Sequence, residues 1–198
     1  MDEILDFSKL EFDSLRLNSN KFLLPQLIHV AEILLEPVAT SKGLQLTFMA
    51  HTSLPWTVVG DEIHILHVFL NIVGNAIKFT KKGNIRVDIS SKLIDGKDHI
   101  EPRMCKLNSC ANIHFVVKGM RGGISYTIIT QLFNKSDEVH NDIAGSGLSW
   151  PISMEFTHLM RGKIWIKSEA AEHETTCHFI FPVEIVHNYE HTRSGHWC

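Results

Sequence analysis

The pattern of apolar and polar positions between Gly60 and Thr80 is the clearest structural signal in the chain. Its apolar residues recur at spacings of three and four, which predicts one buried face of a helix: Ile63, Leu66, Phe69, Leu70, Val73 and Ile77. Asp61 and Glu62 suit the first turn of that helix, because unpaired amides and the helix dipole favour negative charge there. We therefore expect the rest of the chain to be organised around this helix.

A polar stripe runs along another side of the same predicted helix. His67, Asn71, Asn75 and Lys78 are spaced four, four and three residues apart, so they share one side. An Asn amide oxygen is a hard metal ligand, and a Lys ammonium can face phosphate. Two interpretations stay open: the stripe forms a phosphate and Mg²⁺ site, or its side chains only bond neighbouring loops and water.

Other periodicities predict the remaining elements. A helix is expected at 22–41, ended by Gly43, and shorter helices at 126–133 and 152–160. Apolar residues alternate in segments that predict strands: 44–49, 57–59, 85–89, 113–117, 164–166 and 175–183. Mostly antiparallel strands with helices that each bury one face predict an α/β (α+β) fold, a two-layer sandwich of sheet and helices.

Composition and charge narrow the class of protein. With 198 residues, 44% apolar content and a net charge of −3, the chain suits one domain and gives no sign of nucleic-acid binding or membrane contact. No apolar run approaches the roughly 18 residues of a spanning helix, and the acidic start is unlike a signal peptide, so an intracellular domain is expected. The four cysteines show no paired spacing, so reduced thiols are expected.

The segment LNIVGNAIKFT, residues 70–80, resembles the N-box helix of sensor histidine kinases, in the superfamily shared with DNA gyrase and heat-shock chaperone ATPases. The resemblance continues in DFSKLEFDSLRL, LPWTVVGDE and LMRGKIWIKSE, and covers residues 1 to about 185. Within the family it is strongest to the kinase region of plant ethylene receptors and related hybrid kinases. It implies the same sandwich, with ATP held between the helices and the sheet.

The resemblance also implies a domain division and partners. Residues 1–16 would end the second dimerisation helix, 17–186 would form the ATP-binding domain, and 187–198 would be a C-terminal tail. The helix that carries the phosphoacceptor histidine does not precede residue 1, so we expect a fragment or a protein unable to phosphorylate itself at the usual place. The implied partners are dimerisation and phosphoacceptor helices of this or another chain, with a response-regulator receiver domain as a further candidate. The implied location is the cytoplasm, including the cytosolic part of a membrane receptor.

Site residues follow from the same resemblance. Asn75 would be the Mg²⁺ ligand, Asn71 its support, and Lys78 would face phosphate. Residues 134–144 would form a mobile lid over the nucleotide. The other nucleotide-binding residues would lie in the glycine boxes and at the base of that lid: Gly123, Phe133, Gly145, Ser146, Gly147 and Leu148.

The glycine boxes depart from the family pattern. Gly119 stands where the family has the Asp that accepts a hydrogen bond from adenine, and Arg121 stands at the first glycine. Losing such a contact costs roughly 1.5–3 kcal/mol, or about ten- to a hundredfold in affinity. We expect Gly119→Asp combined with Arg121→Gly to restore binding. In the second box Ser149, Trp150 and Pro151 replace the usual residues, and Trp150 is the hardest to accommodate.

Two functions remain from the sequence. In the first, the domain binds Mg-ATP and donates a phosphoryl group to a histidine on a separate helix, with impaired activity. In the second, it is a degenerate module that serves as a signalling or docking scaffold.

Histidines offer two further candidate sites. The tail residues His187, His191, His196 and Cys198 invite a metal interpretation, although the segment has little apolar content to hold it rigid. His64 and His67 lie within the central helix, where packing or contact with the lid is expected.

Overall fold

The computed structural model of the protein describes residues 17–94, 110–119, 149–169 and 174–186. Its helices are α1 (Leu24–Ser41), α2 (Glu62–Phe79) and α3 (Ser149–Leu159). Its strands are β1 (Asn20–Leu23), β2 (Gln45–Ala50), β3 (Thr57–Gly60), β4 (Asn84–Leu93), β5 (Cys110–Lys118), β6 (Lys163–Glu169) and β7 (Glu174–Ile185). The expected dimerisation-helix end, 1–16, and the tail, 187–198, lie outside this part of the chain.

The strands form one mixed sheet in the order β1, β3, β7, β5, β4, β2, with β6 paired to β7. Among these strands only β2 and β4 pair in parallel, and the other pairs are antiparallel. Burial alternates along β5, where Ile113, Phe115 and Val117 are buried and the residues between them are partly exposed. The sheet thus turns one apolar face toward the helices, which confirms the predicted two-layer sandwich.

Helix α1 begins two residues later than the sequence pattern predicts. The segment Asn20–Leu23 is strand β1, in which Phe22 pairs with Val58 of β3. Phe22 is buried in the core, but its backbone belongs to the sheet, so the predicted start of the helix was wrong by two residues. The predicted end of α1 is confirmed, because Gly43 follows it with a φ of +68°, a conformation that glycine adopts without steric cost.

Helix α2 is the middle helix of its layer and packs against both α1 and α3. The predicted buried face was partly wrong, because Ile63 is 69% exposed. The fully buried residues lie on a face turned by about one residue: Ile65, Val68, Phe69, Ile72, Val73, Ala76 and Ile77. The helix is apolar on most sides, so spacing alone fits more than one face, and contact with the sheet decides between them.

Asp61 is the N-cap of α2 and ties the helix to Asn18. Its Oδ1 accepts from the His64 backbone amide at 3.0 Å, and its Oδ2 accepts from the Asn18 amide at 2.7 Å. The His64 ring nitrogen Nδ1 lies 2.7 Å from the same Oδ2. Burial by itself raises the pKa of Asp61, but the two backbone amides and His64 together lower this pKa below its usual value. The carboxylate therefore stays ionised as the N-cap, as the sequence predicted for this turn.

The cysteines differ from the expectation of reduced thiols. Cys110 is disulfide-bonded, so for this residue the expectation was wrong. Cys177 is a free thiol in the core, and burial raises its pKa. Four cysteines without a spacing motif do not reveal their pairing in sequence, because pairing depends on which residues the fold brings together. Within the described ranges, no helix is long and apolar enough to span a membrane.

Replacing Asp61 by Asn keeps a capping oxygen and removes the charge. Because the pKa of Asp61 is lowered by folding, its charge stabilises the domain above the unfolded pKa of about 4, and this stabilisation is lost as pH falls through the folded pKa. We expect Asp61→Asn to reduce the free energy of unfolding by about 1 kcal/mol at pH 7, and the difference to shrink below about pH 4. Urea unfolding between pH 3 and 7 measures this. An equal difference at both ends of the range would contradict it.

Candidate functional site

The polar stripe of α2 lies on the side of the helix that faces α3. Asn75 Nδ2 donates a hydrogen bond of 3.1 Å to Asn71 Oδ1. Asn71 Nδ2 in turn donates to Ser153 Oγ of α3, and Ser153 is fully buried. The structure thus brings together two predicted site residues, Asn71 and Asn75. It adds Ser153, which sequence analysis missed because it lies 82 residues from Asn71 and no motif links them.

The orientation of the Asn75 amide leaves its oxygen available. The hydrogen bond of Asn75 uses its nitrogen, and within the described ranges its Oδ1 accepts none. A neutral amide oxygen on a half-exposed side chain fits a hard cation such as Mg²⁺. Groups of three or more His, Cys, Asp or Glu that could hold a metal are absent from the described residues. A cation at Asn75 would therefore need ligands from a bound phosphate group, as Mg²⁺ often does.

Lys78 ends the stripe near the C-terminus of α2. Its side chain is exposed, and its ammonium lies 5.4 Å from the ring centroid of Phe79. Its carbonyl and that of Ile77 each accept a hydrogen bond of 3.2 Å from Lys42 Nζ. Lys42 follows α1 and interacts with the last carbonyls of α2, which is favourable for a cation at a helix C-terminus. Lys42 could not be predicted from the sequence, because its contact joins two elements with no shared periodicity.

The two histidines of α2 pack against Phe156 of α3. The ring centroids lie 4.3 Å apart for His64 and Phe156, and 5.2 Å apart for His67 and Phe156. Burial lowers the pKa of His67, and the neighbouring His64 lowers it further. Of the two roles expected for these residues, packing is confirmed, whereas contact with the predicted lid lies outside the described ranges. His67 belongs to the stripe by spacing, but its ring supports the contact between α2 and α3.

Gly119 occupies a tightly constrained position at the end of β5. Its carbonyl accepts a hydrogen bond of 3.1 Å from Thr80 Oγ1, just after α2. Its φ is +136°, and an added Cβ would lie 2.5 Å from Asn84 O and 2.9 Å from Ile85 Cα. An Asp side chain cannot be placed on this backbone without moving β4. The expectation that Gly119→Asp helps to rebuild the family's adenine contact is therefore contradicted by local geometry.

The start of α3 accommodates the residues that the sequence predicts to depart from the family's second glycine box. Trp150 is 2% exposed and belongs to the hydrophobic core, so the residue that appeared hardest to place is used for packing. Pro151 lies in the first turn of α3, where a missing amide costs nothing. The other predicted box, lid and tail residues lie outside the described ranges: Arg121, Gly123, Phe133, Gly145, Ser146, Gly147, Leu148, His187, His191, His196 and Cys198.

A mixed, mostly antiparallel sheet covered on one face by helices matches the fold of histidine-kinase-type ATPase domains. Residues 60–185 match the family described as "Histidine kinase-, DNA gyrase B-, and HSP90-like ATPase", and the chain belongs to this family. The resemblance recognised from LNIVGNAIKFT is thereby confirmed at the level of the family.

Individual relatives agree with this assignment. The chain is 30% identical over 193 residues to hybrid signal transduction histidine kinase C of Dictyostelium discoideum, with 93% of this chain covered. It also resembles full-length ShkA, solved in complex with AMPPNP, with a TM-score of 0.67 and 22% identity over 87% of this chain. A mycobacterial sensor histidine kinase, MprB, gives a TM-score of 0.58 and 18% identity, covering 85% of this chain and all of that one.

These relatives differ in how much of their length the chain covers. The chain spans 15% of the Dictyostelium kinase and 32% of the ShkA chain. ShkA and MprB are each less than 25% identical in sequence to this chain, so their likeness shows the fold alone. The relation to hybrid histidine kinases is confirmed by the Dictyostelium protein.

Substitutions at Gly119 test the constraint at the end of β5. We expect Gly119→Ala and Gly119→Asp each to lower the free energy of unfolding by about 2–4 kcal/mol, from the disfavoured φ and the contact with Asn84. Gly43→Ala is the matched control, because Gly43 has positive φ but nothing within 4 Å of an added Cβ. Gly43→Ala should lower the free energy of unfolding by only about 1 kcal/mol.

Urea unfolding of the three variants and the parent gives these values. If Gly119→Asp unfolds at the parent's urea midpoint and binds ATP more tightly, the constraint does not exist and the family's adenine contact can be rebuilt.

Proposed function

We propose that this chain is the ATP-binding part of a histidine kinase and holds Mg-ATP along the polar stripe of α2. The phosphoryl group would pass to a histidine on a separate dimerisation helix. The observation that supports this most is the orientation of the Asn75 amide. Its nitrogen donates a hydrogen bond to Asn71, so its oxygen can bind a cation. The chain belongs to a family of ATPases, so such a cation would be bound together with a nucleotide.

Phosphoryl transfer depends mainly on positioning and charge neutralisation, and the residues of α2 suit both tasks. Mg²⁺, when bound with the nucleotide, would neutralise phosphate charge. Asn75 Oδ1 would be a ligand, Asn71 would hold that amide in place, and the exposed Lys78 would face the phosphates. The remaining part of the cradle stays a prediction on residues outside the described ranges: Gly123, Phe133, Gly145, Ser146, Gly147 and Leu148.

Recognition of the base is the part of this function that we propose is weakened. Gly119 carries no carboxylate, and its backbone leaves no room for one. This same observation favours the second candidate function, a degenerate kinase module that acts as a signalling or docking scaffold. The two candidates differ in whether the phosphate-binding half of the site still operates.

Partners and location follow from the family and stay predictions. We propose dimerisation helices that carry the phosphoacceptor histidine, supplied by the same or another chain, and a receiver domain as a further partner. A hybrid kinase among the relatives supports the second of these. The narrower likeness to plant ethylene receptors and the cytoplasmic location, including the cytosolic side of a membrane receptor, remain predictions from the sequence.

Nucleotide preference tests which half of the site operates. If phosphates and Mg²⁺ supply most of the affinity, ATP and GTP should bind within about threefold of each other, and removing Mg²⁺ should weaken both by about tenfold or more. Titration with fluorescent ATP and GTP analogues, with Mg²⁺ and with EDTA, measures this. A strong preference for ATP would show that another residue reads adenine. Absence of binding to either would favour the scaffold.

Substitution of Asn75 tests the proposed ligand directly. Asn75→Ala removes the amide oxygen and should lower Mg²⁺-dependent affinity by about tenfold while the domain stays folded. Asn75→Asp keeps an oxygen but adds charge beside phosphate, and should also weaken binding. Asn112→Ala is the control, because Asn112 lies in β5 at a partly exposed position on the other face of the sheet. Equal affinity of Asn75→Ala and Asn112→Ala would leave Asn75 without a role in binding.

A further inference from the structure

We propose that the domain pairs with a second copy of itself along one edge of the sandwich, where β2 ends the sheet and α1 ends the layer of helices. Of the strands that the structure describes, β2 pairs only with β4 and lies last in the order of the sheet. Helix α1 contacts β2 and has α2 on one side. Both layers therefore end at the same edge, and this inference does not depend on nucleotide binding.

Strand β2 directs part of its backbone away from β4. The Gln45 amide donates to the Gly83 carbonyl at 3.2 Å, and the His51 amide donates to the Ile89 carbonyl at 2.9 Å. The odd-numbered residues of β2 thus face β4, since β2 and β4 pair in parallel. The even-numbered residues direct both their amide and their carbonyl toward the open edge: Leu46, Phe48 and Ala50.

The open edge of β2 lacks the features that usually keep edge strands apart. Its six residues, QLTFMA, include no charged residue and no proline. Two β2 strands can pair antiparallel with their centre at Phe48. Leu46 then lies opposite Ala50 of the second copy, and Phe48 opposite Phe48, and each such pair exchanges two hydrogen bonds. The strand is therefore complementary to itself.

Helix α1 adds an exposed apolar flank to this edge. The flank consists of four large side chains at helical spacing: Val30, Ile33, Leu34 and Val38. At 3.6 residues per turn, it lies between the solvent side, which carries Glu32 and Glu36, and the buried side that faces the sheet and α2. Because α2 covers the opposite flank, these residues lie where the helix layer ends. Both acidic residues lie outside the flank, so a symmetric pair does not bring them together at its centre.

A second copy is the partner that covers both layers at once. An extended peptide would pair with β2 but leave the flank of α1 exposed. A single helix would cover the flank but leave the strand edge open. A copy related by a two-fold axis places β2 against β2 and α1 against α1, as in isologous dimers. We therefore expect one continuous sheet through both domains, covered by a continuous layer of helices.

Two substitutions separate the contributions of the layers. Ile33→Glu places a charge in the apolar flank. Ala50→Pro removes an edge amide that does not point toward β4, a position at which strands tolerate proline. Ile63→Glu is the matched control, because Ile63 is 69% exposed on α2 and Ile33 is 56% exposed on α1. In sedimentation of the full chain from micromolar to millimolar concentration, we expect the parent to dimerise. Ile33→Glu and Ala50→Pro should each weaken dimerisation by about tenfold or more, and Ile63→Glu should match the parent.

Amide hydrogen exchange tests the strand pairing in the unmodified chain. The amides of Leu46, Phe48 and Ala50 should exchange more slowly in the concentrated dimer than in the dilute monomer, because pairing gives them acceptors. The amides of Thr47 and Met49 point toward β4, so they should exchange equally in both samples. This contrast between neighbouring residues is specific to pairing along the β2 edge, and it needs no variant to fold.

Three results would overturn the inference. The first is a chain that stays monomeric at millimolar concentration. The second is a dimer that neither Ile33→Glu nor Ala50→Pro weakens, since it would be formed by another surface. The third is a dimer in which Leu46, Phe48 and Ala50 exchange as fast as in the monomer, because the sheet would then not continue from one copy to the other.

Discussion

The burial of one face of α2 against the sheet is the constraint on which the rest of the structure depends. Phe69 packs against Phe115 of β5 with ring centroids 4.3 Å apart, and it meets Phe48 of β2 edge-on at 6.0 Å. A Phe side chain buried in this way contributes on the order of 1.5–3 kcal/mol, and such contacts fix how the helix is rotated. Once that face is buried, the polar stripe has to lie along the boundary with α3. The position of the candidate site thus follows from core packing.

Both ends of α2 are held by charged or polar side chains. Asp61 caps its start and also holds Asn18, whereas Lys42 interacts with its last carbonyls. Thr80, just beyond the helix, binds the carbonyl of Gly119 at the end of β5. A helix fixed at both ends can present Asn75 and Lys78 in constant positions. Preorganisation of this kind is what a site that acts by positioning and charge neutralisation requires.

The sequence predicted the features that depend on periodicity and on local chain geometry. The alternation of Ile85, Val87 and Ile89 and the turn at Gly43 were confirmed, because each pattern reflects only nearby residues. The start of α1 and the exposure of Ile63 were predicted wrongly. In both cases a contact with a distant strand decided between two conformations or faces that the local pattern allowed equally.

The sequence also predicted only part of the candidate site, namely the residues that lie on one helix. Asn71, Asn75 and Lys78 could be grouped from spacing within one helix. Ser153 lies on α3 and Lys42 follows α1, and neither could be predicted because their contacts with α2 depend on the tertiary fold. The crowding at Gly119 is also a tertiary property, since the atoms that exclude a side chain there belong to Asn84 and Ile85 of β4.

The central claim is that the stripe of α2 is the phosphate and metal end of a nucleotide site. The most direct measurement is paramagnetic broadening of backbone amide signals by Mn²⁺, added with a non-hydrolysable ATP analogue to the isotope-labelled domain. We expect Mn²⁺ to broaden the signals of Asn71, Asn75 and their neighbours on α2 most strongly, while β1 and the outer strand positions such as His114 keep sharp signals. Broadening that is equal across the domain, or centred away from α2, would contradict it.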